Sequence, residues 1–294
     1  MSRSRTICKP TILTADRLEK FPWLIHGFST RTGGFSALYG GNALNLGFTK
    51  QDSRSAIEQN RKAFLQELGA TKRRSLRPLV TLRQIHSDII HCISEPPNAV
   101  LAGDGLITSN PGILLAVQTA DCLPVILVDA KRRAVGTFHA GWRGTLKRIV
   151  EKGVGEMRRW FGTKPGDIRA AIGPGIHNCC YEVGPEVREK FESQFSYANE
   201  LFRELKEFDS IREKYPLLFL SARPPGHTSL HSRIFLDLVE ANRRQLISAG
   251  VPPKNISVSE LCTACRPDLL FSYRAEKGNT GRMMGAVGIR SGRR

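Results

Sequence analysis

Between Leu79 and His139 the chain is a series of short apolar runs separated by Gly, Pro, Asp and Asn. The runs are Leu79–Leu82, Ile89–Ile93, Leu106–Thr108, Ile113–Val117, Val125–Val128 and Val135–Phe138. Each is too short for a helix and is bounded by turn residues, so the block predicts clustered β-strands. Helical spacing flanks it. A helix is expected over Ser53–Leu68, with Ile57, Phe64, Leu65 and Leu68 on one face and Gly69 as its stop, and another over Thr145–Trp160, ended by Gly162 and Pro165. Further on, the pattern predicts a strand at Ile168–Ile172 and helices at Pro185–Phe191, Asn199–Lys214 and Leu236–Ala249. Strands at Ile256–Val258 and Met284–Ile289 follow. Residues 26–47, rich in Gly, Ser, Thr and Asn, read as an ordered loop. Clustered strands with several helices, and no strict βαβ alternation, predict an α+β fold with a mixed sheet. No Pro/Gly/Ser linker divides the chain, which reads as one domain.

Composition narrows the function classes. With 40% hydrophobic residues in 294, the chain can bury a core without disulfide staples. The formal charge of +17 raises the prior for nucleic acid, anionic membranes or phosphorylated substrates. The dense run Lys72-Arg73-Arg74, followed by Arg77, has the character of a solvated loop. No Cys₂His₂ finger spacing, ribonucleoprotein aromatic signature or basic heptad helix accompanies the charge, so no specific nucleic-acid partner is expected. No stretch approaches the length of a membrane span. The start, Met1-Ser-Arg-Ser-Arg, has no apolar leader, and seven cysteines is an odd number, so a cytoplasmic protein with free or metal-bound thiols is expected.

Three segments put a metal-capable side chain at a strand edge: Arg83-Gln84-Ile85-His86-Ser87, Thr119-Ala-Asp121-Cys122-Leu-Pro124 and Phe138-His139-Ala-Gly141-Trp-Arg143-Gly144. One thiolate and two imidazoles suit tetrahedral zinc with a fourth position open. Their separations of 36 and 17 residues match no local zinc motif, and a buried Cys beside two hydrogen-bonded histidines is the plainer reading. The third segment reads as strand, tight turn and helix from Thr145. The helix start and Arg143 suit an oxyanion, or form an ordinary turn with an exposed Arg. Cys122 with His139 also fits a thiol nucleophile and its base, without a metal. Asp121 could orient a histidine, carry a proton or cap a turn.

Other candidates are weaker. Cys262-Thr-Ala-Cys265 with His227 and His231 would make a Cys₂His₂ zinc site, but the two histidines sit in a Pro/Ser loop rather than on a helix face. Cys179-Cys180 read as packing, and His26, His91 and His177 as structural.

Taken in order, Gly27-Phe-Ser-Thr-Arg31, Asn45-Leu-Gly47, Gln84-x-His86, Gly103-Asp-Gly105, Thr119-Ala-Asp-Cys122-x-Pro124 and His139-Ala-Gly-Trp-Arg-Gly144 resemble the YfiH-type, or laccase-domain, family. Ile172-Gly-Pro-Gly-Ile176, Cys180-Tyr-Glu-Val183, Phe271-Ser-Tyr-Arg274 and Thr280-Gly-Arg282 continue the match to about residue 290. The resemblance implies a single mixed-sheet α/β sandwich over residues 22–290, like some cysteine deamidases. An N-terminal extension (1–21) and a basic tail (291–294) flank it. It implies zinc-dependent phosphorolysis of adenosine, inosine, guanosine and methylthioadenosine, with adenosine deamination. Metal ligands and catalytic groups would be His86, Cys122 and His139; for such phosphorolysis Arg143 and the helix start after Gly144, together with Arg31, are the groups here that could hold phosphate. Copper belongs to an older label, polyphenol oxidase, and seven histidines without a His-x-His pair do not supply a multicopper centre. The chain departs from many members at Lys50-Gln51-Asp52 and at Leu82-Arg83, and residues 195–225 are less familiar. The function classes in view are therefore a zinc-dependent nucleoside enzyme, a metal-free cysteine hydrolase on Cys122 and His139, and a copper phenol oxidase. A non-catalytic basic binding protein stands behind these.

Overall fold

The computed structural model describes residues 9–72, 75–76, 78–205 and 232–291. They form two compact units, one of Met1–Ile176 with Leu238–Arg294 and one of His177–Asp237.

In the larger unit, two sheets carry the core. The first has five strands in the order β1 (Ile12–Leu13), β2 (Leu24–Ser29), β17 (Met283–Ile289), β9 (Leu114–Thr119) and β6 (Leu79–Val80). The second has six, in the order β16 (Ile256–Val258), β12 (Ile168–Ile172), β10 (Leu123–Asp129), β11 (Ala134–Ala140), β8 (Gly105–Thr108) and β7 (Ile90–Cys92). Both mix parallel and antiparallel pairs. Leu24, Phe28, Leu115, Val287 and Ile289 of the first sheet and Leu106, Ile126, Val128, Val135 and Ala171 of the second make one buried cluster, so the sheets pack face to face. A short strand β3 (Thr32–Ser36) and a two-strand pair, β4 (Thr71–Lys72) with β5 (Ser75–Leu76), lie outside these sheets.

Helices cover the outer faces. Helix α2 (Arg54–Glu67) starts where the Ser53 hydroxyl accepts the Ala56 N–H at 3.1 Å, and it ends at Gly69 with φ 66°. Its Phe64 and Leu65 join Ile25, Leu114, Ala116, Met284 and Ala286 on the back of the first sheet, each such burial contributing about 1.5–3 kcal/mol. On the second sheet, α4 (Ile149–Phe161) lies over β11, and α6 (Leu238–Ser248) packs on α4. Strands β10 and β11 are therefore buried along their whole length and read as continuous apolar runs.

Several sequence expectations are corrected. Residues 26–47 include β2 and β3 rather than a loop throughout; β2 is buried on both faces and carries Gly27 and His26, so it shows no alternation. A Cβ on Gly27 would lie 2.6 Å from Ile12 Cγ2, which explains the residue choice. Within the expected N-terminal extension, β1 pairs with β2, and Leu18 of α1 (Asp16–Glu19) is fully buried. The helix expected over Thr145–Trp160 is two helices, α3 (Trp142–Leu146) and α4, separated at Arg148, whose φ is 63°. That expected from Leu236 begins at Leu238, because Leu236 ends strand β15 (Arg233–Leu236).

The smaller unit holds a three-stranded sheet in the order β13 (Glu182–Val183), β15 and β14 (Phe202–Leu205), with α5 (Pro185–Glu192). The helix expected over Asn199–Lys214 is instead a 3₁₀ turn, Ala198–Leu201, followed by β14; residues 206–214 lie outside the described residues. Helix-favouring Glu and Leu are overridden here by pairing with β15 and by packing of Phe202 on Phe191, 5.9 Å between ring centroids.

Candidate metal centre

The β10–β11 hairpin sets two of the three expected ligands. Asp129 Oδ1 accepts the N–H groups of Lys131 (2.9 Å) and Arg132 (3.0 Å), an Asx turn that fixes the register. That register pairs Pro124 with His139 and Leu123 with Ala140, so Cys122, just before β10, meets the exit of β11. Contact there is close. A Cβ on Gly141 would lie 2.8 Å from Cys122 Sγ and 3.2 Å from His86 Cδ2.

His86 arrives differently, on a loop after β6. Gln84 pins that loop to β9: its Nε2 donates to the Gln118 carbonyl and its Oε1 accepts the Gln118 N–H, both at 2.7 Å. His86 is exposed and holds φ 55°, the left-handed region, which costs a non-glycine residue energy unless its surroundings impose it. The rings of His86 and His139 lie 4.9 Å apart at 73°. The ligand atoms of His86, Cys122 and His139 all lie within 4.8 Å of one another, so the three could hold one metal ion.

Asp104 stands behind the group. Wholly buried, its carboxylate lies 2.8 Å from His139 Nδ1. It also accepts the backbone N–H groups of Ile85 (3.2 Å), His86 (3.1 Å) and Ser87 (2.6 Å), and the Ser87 hydroxyl (2.7 Å). Burial alone would raise its pKa, but the bonds from His139 and Ser87 hold it down at about 2. Burial likewise opposes charge on Cys122 and His139, yet their mutual attraction prevails. The thiol falls to about 6, helped by hydrogen bonds from His139 and His86, and the imidazole rises to about 9, helped by Asp104. Without a metal, the pair is a thiolate beside an imidazolium. Sequence reasoning gave Asp104 no role, because a Gly-Asp-Gly turn has no local feature that points to the His86 loop and His139.

Asp121, with φ 90°, turns its carboxylate away from this group. Oδ1 accepts the Thr263 (2.6 Å) and Ser272 (2.7 Å) hydroxyls, and Oδ2 accepts the Arg274 N–H (2.7 Å). Among the roles considered, the structure gives it that of fastening a turn. Arg31 is fastened to the same wall: it donates to the carbonyls of Pro267, Leu270 and Tyr39 and pairs with Glu276 at 3.1 Å. Glu276 in turn accepts the Ser272 N–H, so a hydrogen-bonded chain runs from Arg31 to the residue beside Cys122. Arg143 is exposed, with its guanidinium 4.4 Å from the Trp142 ring centroid. Helix α3 begins at Trp142, three residues before the expected Thr145, so the Gly141–Gly144 turn is its cap and first turn.

His26 Nε2 accepts the Ala15 N–H at 3.1 Å, and His91 bonds the Ala102 carbonyl at 2.8 Å. His227, His231, Arg73, Arg74 and Arg77 lie outside the described residues. None of the six described cysteines is in a disulfide. Among the described residues, no helix is long and apolar enough to cross a membrane.

Fold and site together define a mixed-sheet α/β enzyme with a His–Cys–His group fit for one metal ion. The chain belongs to the family described as multi-copper polyphenol oxidoreductase laccase, which it matches over residues 25–290 and which includes the YfiH and YlmD proteins. It is 34% identical over 286 residues to a protein of Geobacillus stearothermophilus named purine nucleoside phosphorylase YlmD, covering 91% of this chain and 94% of that one. It is also 34% identical over 267 residues to adenosine deaminase RL5 of an unknown prokaryotic organism, covering 88% and 91%. Among solved structures, the hypothetical protein YfiH of Bacillus licheniformis superposes with a TM-score of 0.80 at 33% identity, covering 96% of this chain and 97% of that one. Three ligand atoms suffice for one ion; the several coppers in the family's description need more than this group offers.

Proposed function

We propose that the chain is a zinc-dependent purine nucleoside phosphorylase acting on adenosine, inosine, guanosine and methylthioadenosine, with adenosine deamination in the same site. Residues 22–290 carry the activity. The observation behind this reading is the convergence of His86, Cys122 and His139 in a chain whose relatives carry those enzyme names. Zinc fits the donor set: ligands at about 2.0–2.3 Å from a tetrahedral ion stand roughly 3.3–3.8 Å apart, inside the spacing of these atoms. Bound there, zinc supplies a Lewis acid for the oxygen chemistry.

The chain's own groups do the rest. In phosphorolysis a phosphate oxygen attacks ribose C1′, the C1′–N9 bond breaks, and its electron pair leaves with the purine, which takes up a proton. Arg143, exposed and four residues after His139, is the cation we assign to phosphate. Arg31 joins it only by releasing a carbonyl or Glu276. In deamination a water oxygen adds at purine C6 and ammonia leaves. A cytoplasmic location suits described cysteines that form no disulfide.

Purified protein should carry about one zinc per chain and convert adenosine and phosphate to adenine and ribose 1-phosphate. Chelation should stop turnover, and added zinc should restore it. Full activity in a metal-stripped sample would sink the zinc mechanism. A second reading, a cysteine hydrolase, draws on the line Cys122–His139–Asp104, which has the order of nucleophile, base and orienting carboxylate. Chelator-resistant turnover together with an acyl group trapped on Cys122 would favour it.

A further inference from the structure

We propose that Asp104 is a positioning residue that sets both imidazoles of the group at once, fixing the tautomer of His139 and the backbone of His86. The inference rests on the metal reading above and adds the device that makes the site ready for the ion.

Five donors converge on two carboxylate oxygens. Oδ1 lies 2.8 Å from His139 Nδ1 and accepts the His86 N–H at 3.1 Å; Oδ2 accepts the Ile85 and Ser87 N–H groups and the Ser87 hydroxyl. An ionised carboxylate only accepts, so Nδ1 of His139 must carry its proton. Nε2 is then left to face Cys122 and a metal. The same oxygen holds the peptide N–H of His86, a residue at φ 55° that would otherwise leave the left-handed region. The His139 N–H also donates to the Asp104 carbonyl at 2.8 Å, so the residue's main chain and side chain both grip the strand that bears the ligand. One buried group therefore ties a ligand on a strand to a ligand on a loop, which share no backbone ladder.

An isosteric amide cannot reproduce this. If Asp104→Asn keeps its oxygen toward Ile85 and Ser87, its NH₂ faces His139 Nδ1. That nitrogen must then accept, which moves the ring proton to Nε2 and removes a ligand. If the amide flips, its NH₂ meets two backbone N–H groups and the His86 loop is released. Either orientation costs one arm.

The test is zinc affinity by chelator competition in the full chain. D104N should bind zinc 10–100-fold more weakly than wild type, with folding checked by circular dichroism. Wild-type affinity in D104N would overturn the proposal. Long-range ¹H–¹⁵N correlation on zinc-loaded wild type removes any dependence on the variant's folding: a proton on His139 Nδ1 with the metal at Nε2 supports the proposal, and a metal at Nδ1 overturns it. Neither measurement uses nucleoside turnover. Zinc binding that D104N weakens, in a protein inert toward nucleosides, would sustain Asp104's role while the proposed activity fell. Turnover with undiminished zinc affinity in D104N would do the reverse.

Discussion

Cys122 and His139 stand where two paired strands meet, whereas His86 stands on a loop held by side chains, and the two arms owe their geometry to different physics. The strand arm inherits its register from a seven-pair ladder and an Asx turn at the far end of the hairpin. The loop arm depends on two anchors, Gln84 on β9 and the carboxylate of Asp104, and keeps an exposed ring on a left-handed residue. Changes on the strand arm should therefore remove or crowd a ligand outright, while changes to the loop anchors should loosen one.

The largest effect is expected from Cys122→Ala. It deletes the one anionic ligand, so bound zinc and phosphorolysis should fall together, activity by at least about a thousandfold; several kcal/mol of charge stabilisation leave with the ion, each 1.4 kcal/mol being tenfold. Intact metal content with turnover abolished would instead point to the thiol as nucleophile. Next comes the charge state of that thiol in metal-free protein. Its pKa is depressed to about 6 from 9.0, chiefly against burial and through His139, so at pH 7 it is mostly thiolate, roughly a hundredfold above an ordinary thiol. Alkylation of Cys122 by iodoacetamide should stay fast down to pH 7 and fall through about 6; bound zinc should block it, and His139→Gln should move the midpoint up. The sign for stability follows. The depressed thiol's share is full above its ordinary 9 and is lost as pH falls through about 6, whereas the raised imidazole's share is full below its ordinary 6.5 and is lost as pH climbs through about 9, so the two offset each other and the pair should leave the melting temperature of metal-free protein nearly level between about 6.5 and 9. A midpoint near 9 for wild-type alkylation would break the description of the pair.

How much of this was readable beforehand differs between the arms in the same way. Ser53 and Gly69 mark the ends of α2, and Leu123–Asp129 and Ala134–Ala140 extend expected strands by one or two residues at each end, because local chemistry sets caps and turns. His86, Cys122 and His139 could be grouped by ligand chemistry, but not by spacing, since their approach is a matter of tertiary register. β2 was missed because a strand buried on both faces loses the polar alternation that identifies one. Arg31 was expected to help hold phosphate; it bonds the Leu270 carbonyl and Glu276 from segments more than two hundred residues away, which no local pattern shows. Asp104 is the same case on the side of the site.

Gly141→Ala probes the strand arm by addition rather than deletion. The new methyl would stand 2.8 Å from Sγ, closer than Cβ contacts allow, and 3.2 Å from the His86 ring, tighter than most such contacts, and both neighbours are proposed ligands. Overpacking of this kind costs about 1–3 kcal/mol, and here relief can come only by moving Cys122 or His86 off its position. Zinc affinity should therefore drop along with the melting temperature. An unchanged affinity would mean that the group tolerates more slack than its contacts imply.

Gln84→Ala should be the gentlest change and the cleanest reading of the loop arm. It leaves the Gln118 N–H and carbonyl without their 2.7 Å partners, at a cost of about 1–3 kcal/mol if water does not replace them. Asp104 still holds Ile85, His86 and Ser87, so the ring of His86 should lose definition without leaving the site. The expectation is a modest loss of zinc affinity, smaller than for Gly141→Ala, with alkylation of Cys122 in metal-free protein keeping its wild-type midpoint because the thiol's main partner, His139, is untouched. A shifted midpoint would show that the two arms are coupled through β9, whose last residues lead directly to Asp121 and Cys122, and that the loop anchor also sets the strand arm.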